Sequence, residues 1–256
     1  MRKFFLSFII VICAIVGIHK CVRYYKINKS VDEIIQKFET GDEKTRIRYA
    51  EGLLRMNEMD FYHNGIFEEH YLAPAPEIID RLTELGCQYK AFEYIESLAQ
   101  KGYVEQQVFL AHMYFCGKEA GYPCNKNYEK SFYWYNEAAK RGSRKAICAL
   151  AYAYIYGYGV DKDAEKGVEI IRELAEFGYA EAQAIYGCLF EEGVEYYDEE
   201  KGWTTLVPKD TVLAKSWWRK AYENGDIAAK IHLGFTAREL EEMEKVAQNL
   251  KHKRRR

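Results

Sequence analysis

The sequence has almost no net charge: 37 lysines and arginines face 39 aspartates and glutamates, a formal −2 at pH 7. A nucleic-acid binder needs a basic stripe to neutralise phosphates, so this balance argues against that class. Proline is scarce, 4 in 256 residues, which leaves helices uninterrupted. Catalytic signatures are missing too. There is no His-Glu-x-x-His pair for zinc, no Gly-x-x-x-x-Gly-Lys phosphate loop, no Ser-x-x-Lys and no Gly-x-Ser-x-Gly elbow. His63 and His70 with Glu68 and Glu69 read as solvated loop residues rather than metal ligands, and Asp161 and Asp163 lack the further oxygens of a calcium loop. The expectation is a chain with no enzyme activity, cofactor, metal or small-molecule substrate.

Long apolar runs are rare as well. The one that stands out runs from Phe4 to Ile18, preceded by Arg2 and Lys3 and closed by His19 and Lys20. At 1.5 Å per residue a helix there covers about 22 Å, short of the ~30 Å hydrocarbon core. A signal-peptide core and a short, bilayer-thinning anchor both fit, and the weak cleavage sites favour the anchor. Residues 1–22 are therefore expected to place the chain at a membrane, through residues 4–18. The 7 cysteines do not decide the compartment. In an oxidising one, Cys116 and Cys124 have a spacing that allows a disulfide across Gly117 to Pro123.

What the chain has is apolar mass and repetition. Hydrophobic residues make up 48%, with 22 tyrosines, 13 phenylalanines and 4 tryptophans, enough for a large helical core. Gly102, Gly142, Gly178 and Gly225 each separate two helix-like segments, at intervals of 40, 36 and 47 residues. The middle unit is the cleanest: Ala146, Leu150, Ala151 and Tyr154 share one helical face, Gly157 and Gly159 break the helix, and Asp163 is placed to cap a second helix that ends before Gly178. Leu110, Ala111, Met113, Tyr114 and Gly117, then Asn127, Lys130, Ser131, Trp134, Ala138 and Ala139, repeat the pattern. So do Ala182, Tyr186, Gly187, Phe190 and Gly193, then Asp210, Ala214, Trp217, Lys220 and Ala221. The first and third units carry four and eleven extra residues between their two helices, which accounts for the unequal intervals.

These units resemble Sel-1-like repeats, relatives of the tetratricopeptide repeat, over Gly86 to about Gly234. Ala111 and Ala151 stand where that family prefers glycine, and Ile170 where it prefers Trp or Tyr. The resemblance implies an all-α fold, a right-handed α-α superhelix built as a solenoid of helical hairpins. The expected organisation is residues 1–22 as signal or anchor, 23–85 as a degenerate helical region and 86–225 as repeats (86–102 partial, 103–142, 143–178, 179–225). Residues 226–256 form a capping helix and a basic tail. Around Pro74 and Pro76 a loop is expected.

In such a stack the first helices line a concave face. Counting from each repeat-ending glycine, the core falls at positions four, eight and twelve, so positions three, ten and fourteen face away. Those positions hold Glu105, Lys145 and Glu181, then His112, Tyr152, Cys188 and Phe235, then Cys116, Tyr156 and Glu192. Tyr152, Tyr156, His112, Lys145, Glu192 and Phe235 are the expected partner-binding residues, exposed aromatics flanked by charge. By resemblance the function is a protein-interaction scaffold of the bacterial cell envelope, anchored in the inner membrane or periplasmic, of an adaptor, regulator or toxin-immunity type. A secreted β-lactamase-like hydrolase and a purely structural membrane tether are the alternatives.

Overall fold

The computed structural model describes residues 28–55, 76–199, 202–226 and 229–234. The segment from Phe4 to Ile18, His63, His70, Phe235 and the basic run from Lys251 to Arg256 lie outside those residues. Among the described residues no helix is long and apolar enough to cross a membrane.

Residues 28–40 are helical (α1), and α2 (Glu43–Arg55), α3 (Pro76–Glu84), α4 (Cys87–Gln100) and α5 (Val104–Cys116) follow. A 3-10 turn at Gly117–Ala120 leads to α6 (Tyr128–Lys140), α7 (Arg144–Tyr156), α8 (Ala164–Glu176) and α9 (Ala180–Glu192). Two antiparallel strands, β1 (Val194–Asp198) and β2 (Gly202–Val207), precede α10 (Thr211–Glu223) and α11 (Ala229–Leu233). The architecture is all-α apart from that hairpin. Pro76 opens α3 instead of extending the expected loop, because a first helical position has no use for an N–H.

The described residues form two compact units, one up to Ser131 and one from Phe132. In the first, α4 packs on α2 and α5, burying Leu53, Leu54, Ile95, Leu98, Leu110 and Met113. In the second, α7 packs on α8, α8 on α9, α9 on α10 and α10 on α11, in chain order. Its core joins Ile155, Ile171, Leu189, Val207, Ala214 and Trp218. Each large aliphatic side chain buried this way contributes about 1.5–3 kcal/mol.

Three local devices repeat. The first ends each second helix. Gly102, Gly142, Gly178 and Gly225 have φ of 93°, 87°, 98° and 106°, the left-handed region that suits glycine. The amide after each reaches back five residues to a helical carbonyl: Tyr103 to Leu98, Ser143 to Ala138, Tyr179 to Leu174, Asp226 to Ala221, at 2.9–3.1 Å.

The second device closes each hairpin at a common neck. The backbone N–H of Asn127 donates to Tyr114 O (2.7 Å), that of Asp163 to Tyr154 O (2.8 Å) and that of Asp210 to Phe190 O (2.7 Å). The side chains of Asn127, Asp163 and Asp210 meanwhile accept from the first-turn amides of α6, α8 and α10. The paired residues are 13, 9 and 20 apart, so the extra four and eleven residues lie wholly beyond the neck.

The third is the helix crossing inside a hairpin. A Cβ on Gly167 of α8 would stand 2.5 Å from Ala151 O and from Ile155 Cγ1. A Cβ on Gly187 of α9 would stand 2.5 Å from Trp218 Nε1 and 3.1 Å from Ala214 O. Ala151 and Gly187 are equivalent positions, as are Gly167 and Ala214. The hairpins α7–α8 and α9–α10 thus each have one glycine and one alanine at the crossing, on opposite helices. Ala151, where the repeat pattern prefers glycine, is matched by Gly167 across the contact.

Candidate functional site

Helices α7 and α9 are the first helices of consecutive hairpins, and their off-core positions meet. The Tyr156 hydroxyl donates to Glu192 Oε2 at 2.9 Å, joining position fourteen of one repeat to position fourteen of the next. One turn earlier on α7 the Tyr152 ring lies 4.5 Å from that of Tyr156, tilted by 47°. Tyr158, from the turn between Gly157 and Gly159, stacks on both, at 6.1 Å from Tyr152 and 5.8 Å from Tyr156. The two glycines have φ of 76° and 72°, which folds the chain back so that Tyr158 reaches the rings. All three tyrosines are half-buried.

The electrostatics follow from that packing. Burial first, then the hydrogen bond to Glu192 and its charge, hold the Tyr156 phenol well above the ordinary tyrosine range. Burial also raises Tyr152, with the Glu192 charge adding to it. The cluster offers apolar ring faces and, at one edge, a fixed hydroxyl–carboxylate pair. Among the described residues no group of three or more His, Cys, Asp or Glu is arranged to hold a metal ion.

Of the residues singled out in the sequence, Tyr152, Tyr156 and Glu192 are brought together. Lys145 is exposed at the opposite, N-terminal end of α7, away from the rings. His112 belongs to α5 in the first unit, where its ring lies edge-on to Tyr122 at 6.0 Å and 3.5 Å from Cys116 Sγ. Phe235 is outside the described residues. Of the two cysteines whose spacing allows a bridge, Cys116 is half-buried beside the His112 ring. Cys124 is buried, its Sγ donates to Met113 O at 3.3 Å, and burial pushes its thiol up to about 11.

Two features escaped the sequence reading. Tyr158 sits between two glycines and so read as turn rather than site. The long insertion of the third unit folds as the hairpin β1–β2, with Tyr197 opposite Trp203 and Val194 opposite Val207. Its signal lies in composition: the Val, Tyr, Trp and Thr that strands favour flank a Gly-containing turn.

Residues 107–143, 144–176 and 180–226 match the family model described as Sel1 repeat. These three segments are similar to Sel1 repeats. The three matched segments cover most of the hairpin α5–α6 and the whole of α7–α8 and α9–α10; the three tyrosines lie in the second segment and Glu192 in the third. The chain is also similar to a Sel1 repeat protein from Oxalobacter formigenes, at 25% identity and a TM-score of 0.41, covering 60% of this chain and 57% of that one. A second similar structure is a protective antigen of uropathogenic Escherichia coli strains displaying an SLR fold, at 23% identity and a TM-score of 0.44, covering 78% of this chain and 34% of that one. This chain thus spans little more than half of the first and a third of the second. Sel1 repeat proteins are generally protein-interaction scaffolds.

Proposed function

We propose that this chain is a non-enzymatic scaffold of the cell envelope, held there by the apolar segment from Phe4 to Ile18, and that it binds a partner protein on the tyrosine surface of its second and third Sel1 repeats. The observation that carries this reading is the hydrogen bond from Tyr156 to Glu192, with Tyr152 and Tyr158 packed around it. Aromatic side chains of this kind dominate protein–protein binding energies. Rings already locked by stacking and by a hydrogen bond lose little freedom when a partner covers them, so more of the contact energy appears as affinity.

The test is capture of partners by the full chain in its own membrane, with covalent crosslinking, against a Tyr152→Ala, Tyr156→Ala double variant. The double variant is expected to recover the partner at least tenfold less efficiently while keeping the helical circular dichroism of the parent. Tyr156→Phe, which keeps the ring and releases Glu192, is expected to fall between the two. Equal capture by parent and double variant rejects this surface. Release of the chain to the aqueous fraction without detergent rejects the anchor.

A further inference from the structure

A second surface of the same unit carries different chemistry. The hairpin β1–β2 stands beside the turn that joins α7 to α8, and the two enclose an open cleft of about 700 Å³. One wall is aromatic. Tyr197 and Trp203 are cross-strand partners whose rings lie 5.8 Å apart, edge to face, and they are 63% and 74% exposed. The other wall is acidic: Asp161, Asp163 and Glu165, with Lys162 as the one cation among the described lining residues.

The cleft is braced rather than loose. The Tyr196 hydroxyl donates to Glu165, fastening the hairpin to the first turn of α8, and Asp163 is committed to capping that helix. The site also holds an example of what it would bind. Lys166 places its ammonium 3.9 Å from the centre of the Tyr154 ring, a cation on an aromatic face at the cleft's own edge. Tyr197 and Trp203 present the same kind of surface to solvent, opposite three carboxylates. An indole this exposed presents a ring face whose quadrupole attracts a flat or compact cation.

We infer that this cleft binds an arginine- or lysine-bearing extended segment of a partner protein, the cationic head lying on Trp203 and Tyr197 and pairing with the carboxylates of the α7–α8 turn. The inference stands apart from the tyrosine surface on α7 and α9 and does not need it. Charge complementarity selects the occupant. A planar guanidinium suits it best, since it stacks on the indole and donates to a carboxylate at once.

The probe is a fluorescein-labelled hexa-arginine peptide titrated into the full chain at two salt concentrations, followed by anisotropy, with a hexaglutamate peptide as control. Trp203→Ala and Asp161→Asn are each expected to weaken binding at least fivefold, Tyr152→Ala with Tyr156→Ala to leave it unchanged, and hexaglutamate not to bind. Trp203 is so exposed that Trp203→Ala should melt with the parent, and Trp203→Tyr, which restores an aromatic face, should recover most of the loss. If Asp161→Asn weakens binding and Trp203→Ala does not, the peptide is held by diffuse charge and the inference fails. It fails equally if replacing the five basic residues Lys251, Lys253, Arg254, Arg255 and Arg256 by serine raises the peptide's affinity more than tenfold, since the chain's own tail would then be the occupant.

Discussion

Gly167 and Gly187 show how far single atoms govern this fold. Alanine is the better helix former by up to about 1 kcal/mol, so propensity alone makes Gly167→Ala stabilising. The crossing reverses that sign. The added methyl would meet Ala151 O, a backbone atom that cannot rotate away, and forcing it costs about 1–3 kcal/mol. Gly187→Ala meets the Trp218 indole, which is 2% exposed and pinned by its N–H to Ala184 O at 3.1 Å. Both variants are therefore expected to lose stability in urea unfolding, whereas Gly→Ala at an open helical site would gain it. A rise in midpoint for Gly167→Ala would show that the two helices have room to part. Buried glutamines work on the same scale. Gln107 and Gln183 occupy equivalent positions and each donates Nε2 to the last-turn carbonyl of the preceding helix, Ala99 or Ala175, at 3.0 Å. Gln183 Oε1 is further satisfied by Asn224 at 2.8 Å.

At the scale of the hairpin, the neck separates stability from loop length. Each interhelical segment is tied by one backbone bond and one capping side chain, whatever lies beyond. Lengthening a loop that is already closed costs only about 0.6 kcal/mol per doubling. Losing a capping aspartate costs about 1 kcal/mol. Asp163→Ala is thus expected to lower stability more than a four-residue Gly-Ser insertion between Gly159 and Val160, as read by chemical denaturation of both. The opposite order would mean that the loop itself, not its neck, holds α7 to α8. The same logic explains why the third repeat accommodates a whole β-hairpin: β1 and β2 lie between Gly193 and Asp210, beyond the neck bond from Asp210 to Phe190.

For the whole molecule, tyrosine sets the alkaline limit. Tyr114 is pushed up to about 12 by burial and then by the Glu96 charge, and Tyr152, Tyr156 and Tyr186 are raised chiefly by burial. A phenol raised in the folded state keeps its proton where the unfolded chain, with an ordinary value near 10, has released it. Between those two values the folded state binds more protons, so the phenols' contribution is intact below about pH 10 and falls as pH rises beyond it. The buried thiols of Cys124 and Cys148, pushed up to about 11 and about 12, act in the same way from their lower ordinary value near 8.5, so unfolding midpoints should be flat from neutrality to about pH 8, fall gently above it and fall more steeply beyond about pH 10. Tyr156→Phe should drop less steeply, since it removes one of the protons and leaves the ring packing in place.

Much of this was legible in the chain alone. The glycines at 102, 142, 178 and 225, the caps at 127, 163 and 210 and the burial period of the first helices announce hairpins in sequence. Each of these is a demand of the local backbone: a positive φ, an orphan amide, one apolar face. Position counting also placed Tyr152, Tyr156 and Glu192 on one side of their helices. It did not show that Tyr156 and Glu192, 36 residues apart, would bond, or that Tyr158 would join them. Nor did it show that glycine and alanine would trade places across the crossings, or that the third insertion would fold into strands carrying Trp203 beside an acidic turn. Those outcomes depend on the separation of two backbones remote in sequence. Only packing sets that distance, because it balances every side chain between the helices at once.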